Sequence, residues 1–175
     1  MLDGIHKIHL IGIGGSGMRA IANILIQKGY DVSGSDIAES AVISKFRDMG
    51  ATVHIGHNKE YVNGVDAIVR STAIREDNPE IVAAKEQGIT ILHRSDIVKA
   101  VLDVTDGIAV AGAHGKTSTT SMIGQILVEA NADPTVIIGG EVDYLKGSSC
   151  LGKGHFSVVE ADESDGSFLK LHPHT

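Results

Sequence analysis

Apolar and polar residues form alternating blocks along the first hundred positions, and these blocks predict strands followed by helices. The run from Ile8 to Gly12 is apolar and ends in glycine, which is typical of a buried strand. Apolar residues at 18, 21, 24 and 25 then have the spacing of one helix face. Gly29 ends this predicted helix, because glycine tolerates the left-handed conformation found at helix ends. A second strand is predicted over 30–36.

The same alternation continues to about residue 102. Asn78 and Pro79 have the sequence of a helix start, with proline at the first helical position, and Gly88 ends that helix. Ser95 or Asp96 is predicted to cap the next helix. Short links between strands and helices favour a parallel sheet covered by helices on both faces. The other predicted elements are a helix over 39–49 and strands near 52–55, 66–71 and 90–92.

A second α/β unit follows a predicted linker at 103–107. Strands are expected at 107–111, near 135–138 and at 156–160, with a helix over 116–130. A unit of roughly 70 residues is small for an independent nucleotide-binding domain. We therefore predict a parallel-sheet domain over 1–103 and the start of an incomplete α/β domain over 104–175, in a chain that is a fragment of a longer protein.

The charge balance argues against several classes of partner. The chain has 15 Lys and Arg against 22 Asp and Glu, a net charge of −7, so nucleic-acid binding is not expected. Cys150 is the single cysteine, which excludes an internal disulfide and favours a reducing compartment. The sequence has no apolar run of membrane-spanning length and no signal-peptide pattern, so we expect a cytoplasmic protein without membrane contact. The sequence does not define an oligomeric state.

The segment Gly112-Ala113-His114-Gly115-Lys116-Thr117 lies between a predicted strand and a predicted helix. Glycines let backbone N–H groups face phosphate oxygens, lysine supplies a cation for the terminal phosphates, and the threonine hydroxyl can ligate Mg²⁺. The helix start adds a positive dipole end. The strict phosphate-loop pattern requires glycine where Val110 stands, so this segment is a shortened variant. A strand–helix turn with a chance Gly-Lys-Thr is the structural alternative.

The segment Gly12-Ile13-Gly14-Gly15-Ser16-Gly17 matches G-x-G-x-x-G directly after a strand and at the opening of a helix. Asp36 follows at the end of the next strand, where dinucleotide-binding proteins place an acid on a ribose hydroxyl. The pattern indicates a diphosphate near a helix start more specifically than it indicates a nicotinamide. A tight turn that needs glycine for packing is the alternative interpretation.

Further polar residues extend these two candidate sites. Glu160 ends a strand of the second unit, from which a carboxylate can reach a Mg²⁺ ion held by Thr117. The acids Asp162, Glu163 and Asp165 follow, either as a solvated loop or as part of the site lining. His114 is either a phosphate donor or a filler of its loop.

Small hydroxyl residues also follow an apolar run in the first unit, at Ser71-Thr72-Ala73-Ile74. Such residues at the carboxyl end of a strand line the ligand crevice of open α/β sheets. His54 and His57 flank a predicted turn, and we interpret them as surface residues. His172 and His174 lack a third ligand, so we interpret them as an exposed tail.

Four groups of segments, in this order, resemble the Mur ligase family, and the match runs over nearly the whole chain. The resemblance implies a Rossmann-like first domain that binds a UDP-sugar rather than NAD, followed by a P-loop-type central domain that binds ATP and Mg²⁺. It implies an ATP-dependent amide ligase that joins L-alanine to UDP-N-acetylmuramate through an acyl phosphate, in peptidoglycan precursor synthesis. The segments are Gly12–Met18 with Gly34-Ser35-Asp36, Ser71–Ile74 with Asp77–Ile81, Gly112–Thr117, and Glu160–Asp165.

The resemblance also implies a role for each candidate residue. Lys116 would act in catalysis by stabilising the transferring phosphoryl group, and Thr117 and Glu160 would hold Mg²⁺. The residues expected to bind ATP are Gly112, Ala113, His114, Gly115, Lys116, Thr117 and Ser118. Those expected to face the UDP-sugar are Gly12, Gly14, Gly15, Ser16, Gly17, Met18, Asp36, Ser71, Thr72, Ala73 and Ile74.

Three residues depart from the family pattern. Ala113 stands where threonine is usual, and Arg19 and Arg70 replace a small and an apolar residue, either as phosphate contacts or as exposed side chains. We expect the family's amino-acid-binding domain to lie outside this chain, so L-alanine rests on the resemblance alone and the chain by itself should lack ligase activity. A ligase that attaches peptides, a non-catalytic nucleotide-binding module and an NAD-dependent oxidoreductase are the alternatives. The oxidoreductase would leave the Gly-Lys-Thr segment unexplained.

Overall fold

The computed structural model describes residues 1–161, 171, 173 and 175. The chain divides into two compact units, Leu2–Arg94 and Ser95–Thr175, with Met1 grouped with the second. The observed division falls between residues 94 and 95, at the start of a helix. The proposed domain boundary between residues 103 and 104 stays a prediction.

The first unit is built on a five-stranded sheet in which all pairs are parallel. The strand order is β3-β2-β1-β4-β5, so β1 is the central strand. The prediction of a parallel sheet is therefore confirmed for this unit. The strands are β1 (Lys7–Ile11), β2 (Asp31–Asp36), β3 (Thr52–Ile55), β4 (Ala67–Arg70) and β5 (Thr90–His93).

Three helices and a 3₁₀ turn connect these strands, a fourth helix follows the last strand, and the helix ends follow local chemistry. Ser40 caps α2 by accepting a hydrogen bond from the Ile43 N–H. Asn78 caps α3 in the same way, Pro79 takes its first position, and Gly88 ends it in the left-handed conformation. The helices are α1 (Ser16–Gln27), α2 (Ala41–Asp48), α3 (Pro79–Gln87) and α4 (Arg94–Leu102), and a short 3₁₀ turn covers Lys59–Val62.

The core of the first unit is aliphatic, as the low aromatic content requires. The central strand contributes Ile8, Leu10 and Ile11, all fully buried. A cluster around Ile11 joins the sheet to α3 and to the 3₁₀ turn, which fixes the carboxyl edge of the sheet. Its buried members are Ile11, Val62, Ile68, Ile81, Ala83 and Ala84.

The second unit contains a four-stranded sheet in the order β6-β9-β7-β8. The pairs β6–β9 and β7–β9 are parallel, whereas β7–β8 is antiparallel, so this sheet is mixed. Helix α5 (Lys116–Glu129) follows β6, and a 3₁₀ turn covers Asp143–Leu145. The strands are β6 (Asp106–Val110), β7 (Thr135–Val142), β8 (Gly147–Cys150) and β9 (Phe156–Glu160).

Three expectations from the sequence need correction. Strand β8 was not expected, because Gly-Ser-Ser-Cys has no apolar alternation, although Ser148 and Ser149 are buried. Helix α4 begins at Arg94, directly after β5, rather than after a cap at Ser95 or Asp96. The predicted linker at 103–107 is shorter than expected, because β6 already begins at Asp106.

Candidate functional site

The glycine segment of the first unit forms a tight loop between β1 and α1. Gly12 has a φ of +73°, a conformation that favours glycine. The N–H groups of Gly12 and Ile13 both donate to the Ser35 carbonyl oxygen, at 2.8 and 3.0 Å, which ties the loop to β2. Gly15 stands at the N-cap of α1 and supplies no side-chain cap to the N–H groups of the first helical turn.

Asp36 lies at the carboxyl end of β2 and turns back onto this loop. Its Oδ2 accepts a hydrogen bond from the Gly14 N–H at 2.8 Å. A Cβ atom at Gly14 would lie only 2.9 Å from the same oxygen, so the glycine is needed for this close approach. One carboxylate oxygen of Asp36 is therefore used to shape the loop, and its contact with a ribose stays a prediction.

The Ser71–Ile74 segment meets the glycine loop at the same edge of the sheet. It forms a turn directly after β4, in which the Ile74 N–H donates to the Ser71 carbonyl oxygen at 3.1 Å. A Cβ at Gly12 would lie 3.4 Å from Cδ1 of Ile74, which is ordinary contact distance. The structure thus brings together the two segments that the sequence proposed for one ligand. The substrate contacts of both segments stay predictions, and so does that of Met18, which is only 2% exposed.

Arg19 and Arg70 are partly buried, and each bonds to the protein near this edge of the sheet, whereas a phosphate contact from either stays a prediction. The Arg19 Nε donates to the Gly14 carbonyl oxygen at 2.7 Å, which braces the loop. Arg70 donates to the Ile74 carbonyl oxygen at 3.3 Å and pairs with Glu76 at 2.5 Å, which holds the turn after β4.

Arg94 was missed by the sequence analysis. A Cβ at Gly17 would lie 2.8 Å from its Nη1, so the guanidinium covers the first turn of α1. The available signal was its position directly after β5, because the carboxyl ends of parallel strands share one edge.

The second unit holds the other glycine segment, between β6 and α5. Gly112 has a φ of +146°, and Gly115 adopts the left-handed conformation with a φ of +77° at the N-cap of α5. Lys116 opens the helix, and its Nζ donates to the Gly112 carbonyl oxygen at 2.7 Å. The lysine therefore lies across its own loop, where its ammonium group can meet phosphate oxygens. Ala113, His114 and Ser118 are exposed, and their predicted ligand contacts stay predictions.

Thr117 and Glu160 are brought together by the sheet. Glu160 ends β9 and is paired with Val110, the last residue of β6, immediately before the loop. The Thr117 hydroxyl lies 3.1 Å from both carboxylate oxygens of Glu160. The Gly139 N–H donates to Oε2 of the same carboxylate at 2.8 Å, which fixes its orientation.

This donor set fits Mg²⁺, which prefers a hydroxyl and one or two carboxylates together with substrate phosphates. Among the described residues there is no group of three or more His, Cys, Asp or Glu side chains suited to a metal ion. A metal here would therefore need oxygen atoms from a bound phosphate or water, in addition to Thr117 and Glu160.

Some predicted residues have other positions. His57 is not a surface residue, because its ring is only 21% exposed and lies in hydrogen-bond range of Ser35 and Glu80. His54 stacks on Tyr61 with ring centres 4.0 Å apart, and burial lowers its pKa. Asp162, Glu163, Asp165, His172 and His174 lie outside the described residues. In the described part of the chain, no helix has the length and apolar character needed to cross a bilayer.

These features define an α/β protein with a glycine-containing loop between a strand and a helix in each of its two units. A family profile described as "Mur ligase family, catalytic domain" matches residues 7–104. The chain belongs to the Mur ligase family.

Known proteins agree with this assignment. The chain is 48% identical to UDP-N-acetylmuramate–L-alanine ligase of Sulfurihydrogenibium sp. over 97% of its own length and 37% of that protein. It is 50% identical to the ligase of the same name from Desulfotalea psychrophila, over 96% of its length and 37% of that protein. The chain thus spans little more than a third of the curated relatives it matches.

Solved structures give the same result. UDP-N-acetylmuramate–alanine ligase of Thermotoga maritima superposes with a TM-score of 0.88 at 35% identity, over 95% of this chain and 39% of that one. The UDP-N-acetylmuramate:L-alanyl-gamma-D-glutamyl-meso-diaminopimelate ligase of Neisseria meningitides superposes with a TM-score of 0.85 at 28% identity, over 93% of this chain and 54% of that one.

Proposed function

We propose that this chain is the UDP-substrate-binding and ATP-binding portion of an amide ligase that joins L-alanine to UDP-N-acetylmuramate at the expense of ATP. The observation that carries the proposal is the placement of Thr117 and Glu160. A hydroxyl at a helix start, 3.1 Å from a carboxylate at the end of the neighbouring strand, is the arrangement that a magnesium-bound triphosphate requires. The residue types also match those the family resemblance predicts.

In the first unit, the diphosphate of the UDP-sugar would lie against the start of α1. The N–H groups of Gly12 to Gly15 are bonded within the protein, so the backbone donors offered there would be those of Ser16 and Gly17, and a phosphate at a helix N-terminus is favoured by the dipole. The Arg94 guanidinium beside Gly17 would add a permanent positive charge. Asp36 and the Ser71–Ile74 turn lie at the same edge and would contact the nucleoside and sugar.

In the second unit, ATP would lie over residues 112–118, with Lys116 against the terminal phosphates. Thr117 and Glu160 would hold Mg²⁺, which supplies charge neutralisation of the phosphate oxygens when it is bound. The Gly139 N–H keeps the Glu160 carboxylate turned toward Thr117. We call this loop a shortened P-loop, since it keeps the Gly-Lys-Thr end of that pattern.

The chemistry follows from the weakness of a carboxylate as an acyl donor. Transfer of the γ-phosphoryl group from ATP to the substrate carboxylate gives an acyl phosphate and ADP. The amine of L-alanine then attacks the carbonyl carbon, and inorganic phosphate leaves as the amide forms. Lys116 would stabilise the charge on the phosphoryl group during its transfer. Since ATP and UDP-sugars are cytoplasmic substrates, we place the protein in the cytoplasm.

The test has a binding part and a turnover part. Isothermal calorimetry on the chain should give saturable binding of UDP-N-acetylmuramate and of MgATP, with no binding of NADH. Saturable NADH binding without UDP binding would favour an oxidoreductase instead. In the full-length protein, phosphate release should require UDP-N-acetylmuramate and L-alanine together. Equal release without the UDP-sugar would contradict the proposal, and preference for a tripeptide amine would make it a peptide ligase.

A further inference from the structure

A fully buried carboxylate lies at the centre of the first unit, and the proposed chemistry does not use it. Glu80 is in the first turn of α3 and has no solvent exposure. Its Oε2 accepts from the Ser35 hydroxyl at 2.7 Å and lies 3.1 Å from Nε2 of His9. Its Oε1 accepts from the Asn58 N–H at 3.2 Å and lies 3.1 Å from Nδ1 of His57.

These contacts keep Glu80 ionised although it is buried. Burial by itself raises the pKa of Glu80, but the hydrogen bonds from His9, Ser35 and His57, with the electrostatic interaction with His9, outweigh it and hold the pKa below the ordinary value. The start of α3 adds a favourable dipole. A buried charge persists only when it is satisfied in this way, and removing its partners is costly. We therefore expect the side chains hydrogen-bonded to Glu80 to keep their positions.

The cluster is joined to the proposed diphosphate loop by one residue. The Ser35 hydroxyl donates a hydrogen bond to Glu80, and the Ser35 carbonyl oxygen accepts hydrogen bonds from the N–H groups of Gly12 and Ile13. Ser35 is fully buried at the carboxyl end of β2, so it cannot exchange these partners for water. His57 lies 3.1 Å from the same hydroxyl oxygen, which joins the segment after β3 to the same point.

We propose that Glu80 is a positioning residue for the nucleotide loop. It holds Ser35, and Ser35 holds the Gly12–Ile13 turn in the shape that presents backbone donors to an anion. Glu80 does not touch the ligand. The inference rests on the proposed function, because it assumes that this loop binds the diphosphate of a UDP-sugar.

The test compares three variants of the chain. Glu80→Gln keeps the shape of the side chain but replaces one of two accepting oxygens by an NH₂ donor and removes the charge that both sets of partners share. Ser35→Ala removes the hydroxyl link and leaves the carbonyl oxygen in place. Asp66→Asn is the matched control, because Asp66 also accepts two N–H groups, from His6 and Lys7, but at the amino end of β1.

Two quantities are measured for each variant: amide hydrogen exchange at Gly12 and Ile13 by NMR, and affinity for UDP by calorimetry. Since a hydrogen bond to a charged group contributes about tenfold or more in an equilibrium constant, Glu80→Gln and Ser35→Ala should each speed exchange at both amides and weaken UDP binding by about tenfold. Asp66→Asn should leave both quantities at their wild-type values. If Glu80→Gln does not fold, the result for Ser35→Ala alone tests the positioning role.

The outcomes separate this inference from the proposed function. Unchanged exchange at Gly12 and Ile13 in Glu80→Gln, or in Ser35→Ala, would overturn the positioning role whatever the affinity. Unchanged UDP affinity with faster exchange would also overturn it, since the loop order would then not serve binding. If the wild-type chain does not bind UDP, the proposed function fails, and faster exchange in the variants would limit Glu80 to ordering the loop.

Discussion

Gly34 offers a direct test of how closely the glycine loop is packed on the first sheet. It is buried in β2, opposite Leu10 of the central strand. A Cβ atom there would lie 2.8 Å from Cδ1 of Ile13, 2.9 Å from Cβ of Ile13 and 2.9 Å from the Leu10 carbonyl oxygen. We expect Gly34→Ala to destabilise the chain and to move Ile13, the second residue of the loop.

The size of the destabilisation depends on which of the contacting atoms can move. The Leu10 carbonyl belongs to β1, which is paired on both sides, and Cβ of Ile13 moves only with its backbone. Inserting a methyl group into such a site costs about 1–3 kcal/mol. Replacing glycine by alanine also stabilises the folded chain by about 0.4–1 kcal/mol, because it lowers the conformational entropy of the unfolded chain. The expected net loss is therefore about 1–2 kcal/mol in the free energy of unfolding.

The measurement is urea unfolding followed by far-ultraviolet circular dichroism. With typical slopes, the midpoint should fall by roughly 0.5–1 M. Gly140→Ala is the control, because its Cβ would meet only a methyl group of Thr117 at 3.4 Å. Ile13→Val removes one of the three close contacts, so it should recover part of the loss in the double variant. A Gly34→Ala chain as stable as wild type would refute the packing argument.

Three further predictions concern other parts of the chain. Thr117→Val keeps the side-chain shape but removes the hydroxyl, so calorimetry should give MgATP binding about tenfold weaker, and unchanged affinity would contradict the proposed metal site. Burial raises the pKa of the Cys150 thiol, so alkylation by iodoacetamide at pH 8 should be much slower in the folded chain than in urea; equal rates would contradict its burial. The pKa of Glu80 is held below 4.5, so its stabilisation is present above that pH and is lost as the pH falls through the folded value. The stability difference between wild type and Glu80→Gln should therefore shrink on acidification, and a constant difference measured by urea unfolding would disprove the assignment.

The sequence predicted the parts of the fold whose signals are local. Periodic apolar residues and terminal glycines located α1, α2 and α3 within about three residues of their observed ends. Both glycine loops lie between a strand and a helix as predicted, because their patterns depend on neighbouring residues alone. Glu160 was also placed correctly near Thr117, since a strand end beside a phosphate loop is a position defined by the topology.

The features that the sequence did not reveal depend on partners far along the chain. His9 and Glu80 are 71 positions apart and meet only after the sheet has formed. Arg94 reaches Gly17 for the same reason. Strand β8 lacks an apolar pattern, and its place in the sheet is seen only from its antiparallel pairing with β7. The secondary-structure propensities of neighbouring residues do not indicate such contacts.

His9 nevertheless carried a signal that could have been used. It interrupts the apolar run of the central strand, and a polar ring buried between two neighbouring strands must find hydrogen-bond partners. In a parallel sheet those partners come from other strands and from crossover helices, since adjacent strands are separated by a whole connection. The pattern therefore required a distant polar partner without indicating which residue it was. The structure identifies the partners: Nδ1 of the ring lies in hydrogen-bond range of Ser33, and Nε2 lies in range of Glu80. The helix that follows β4 therefore holds the strand that precedes the glycine loop.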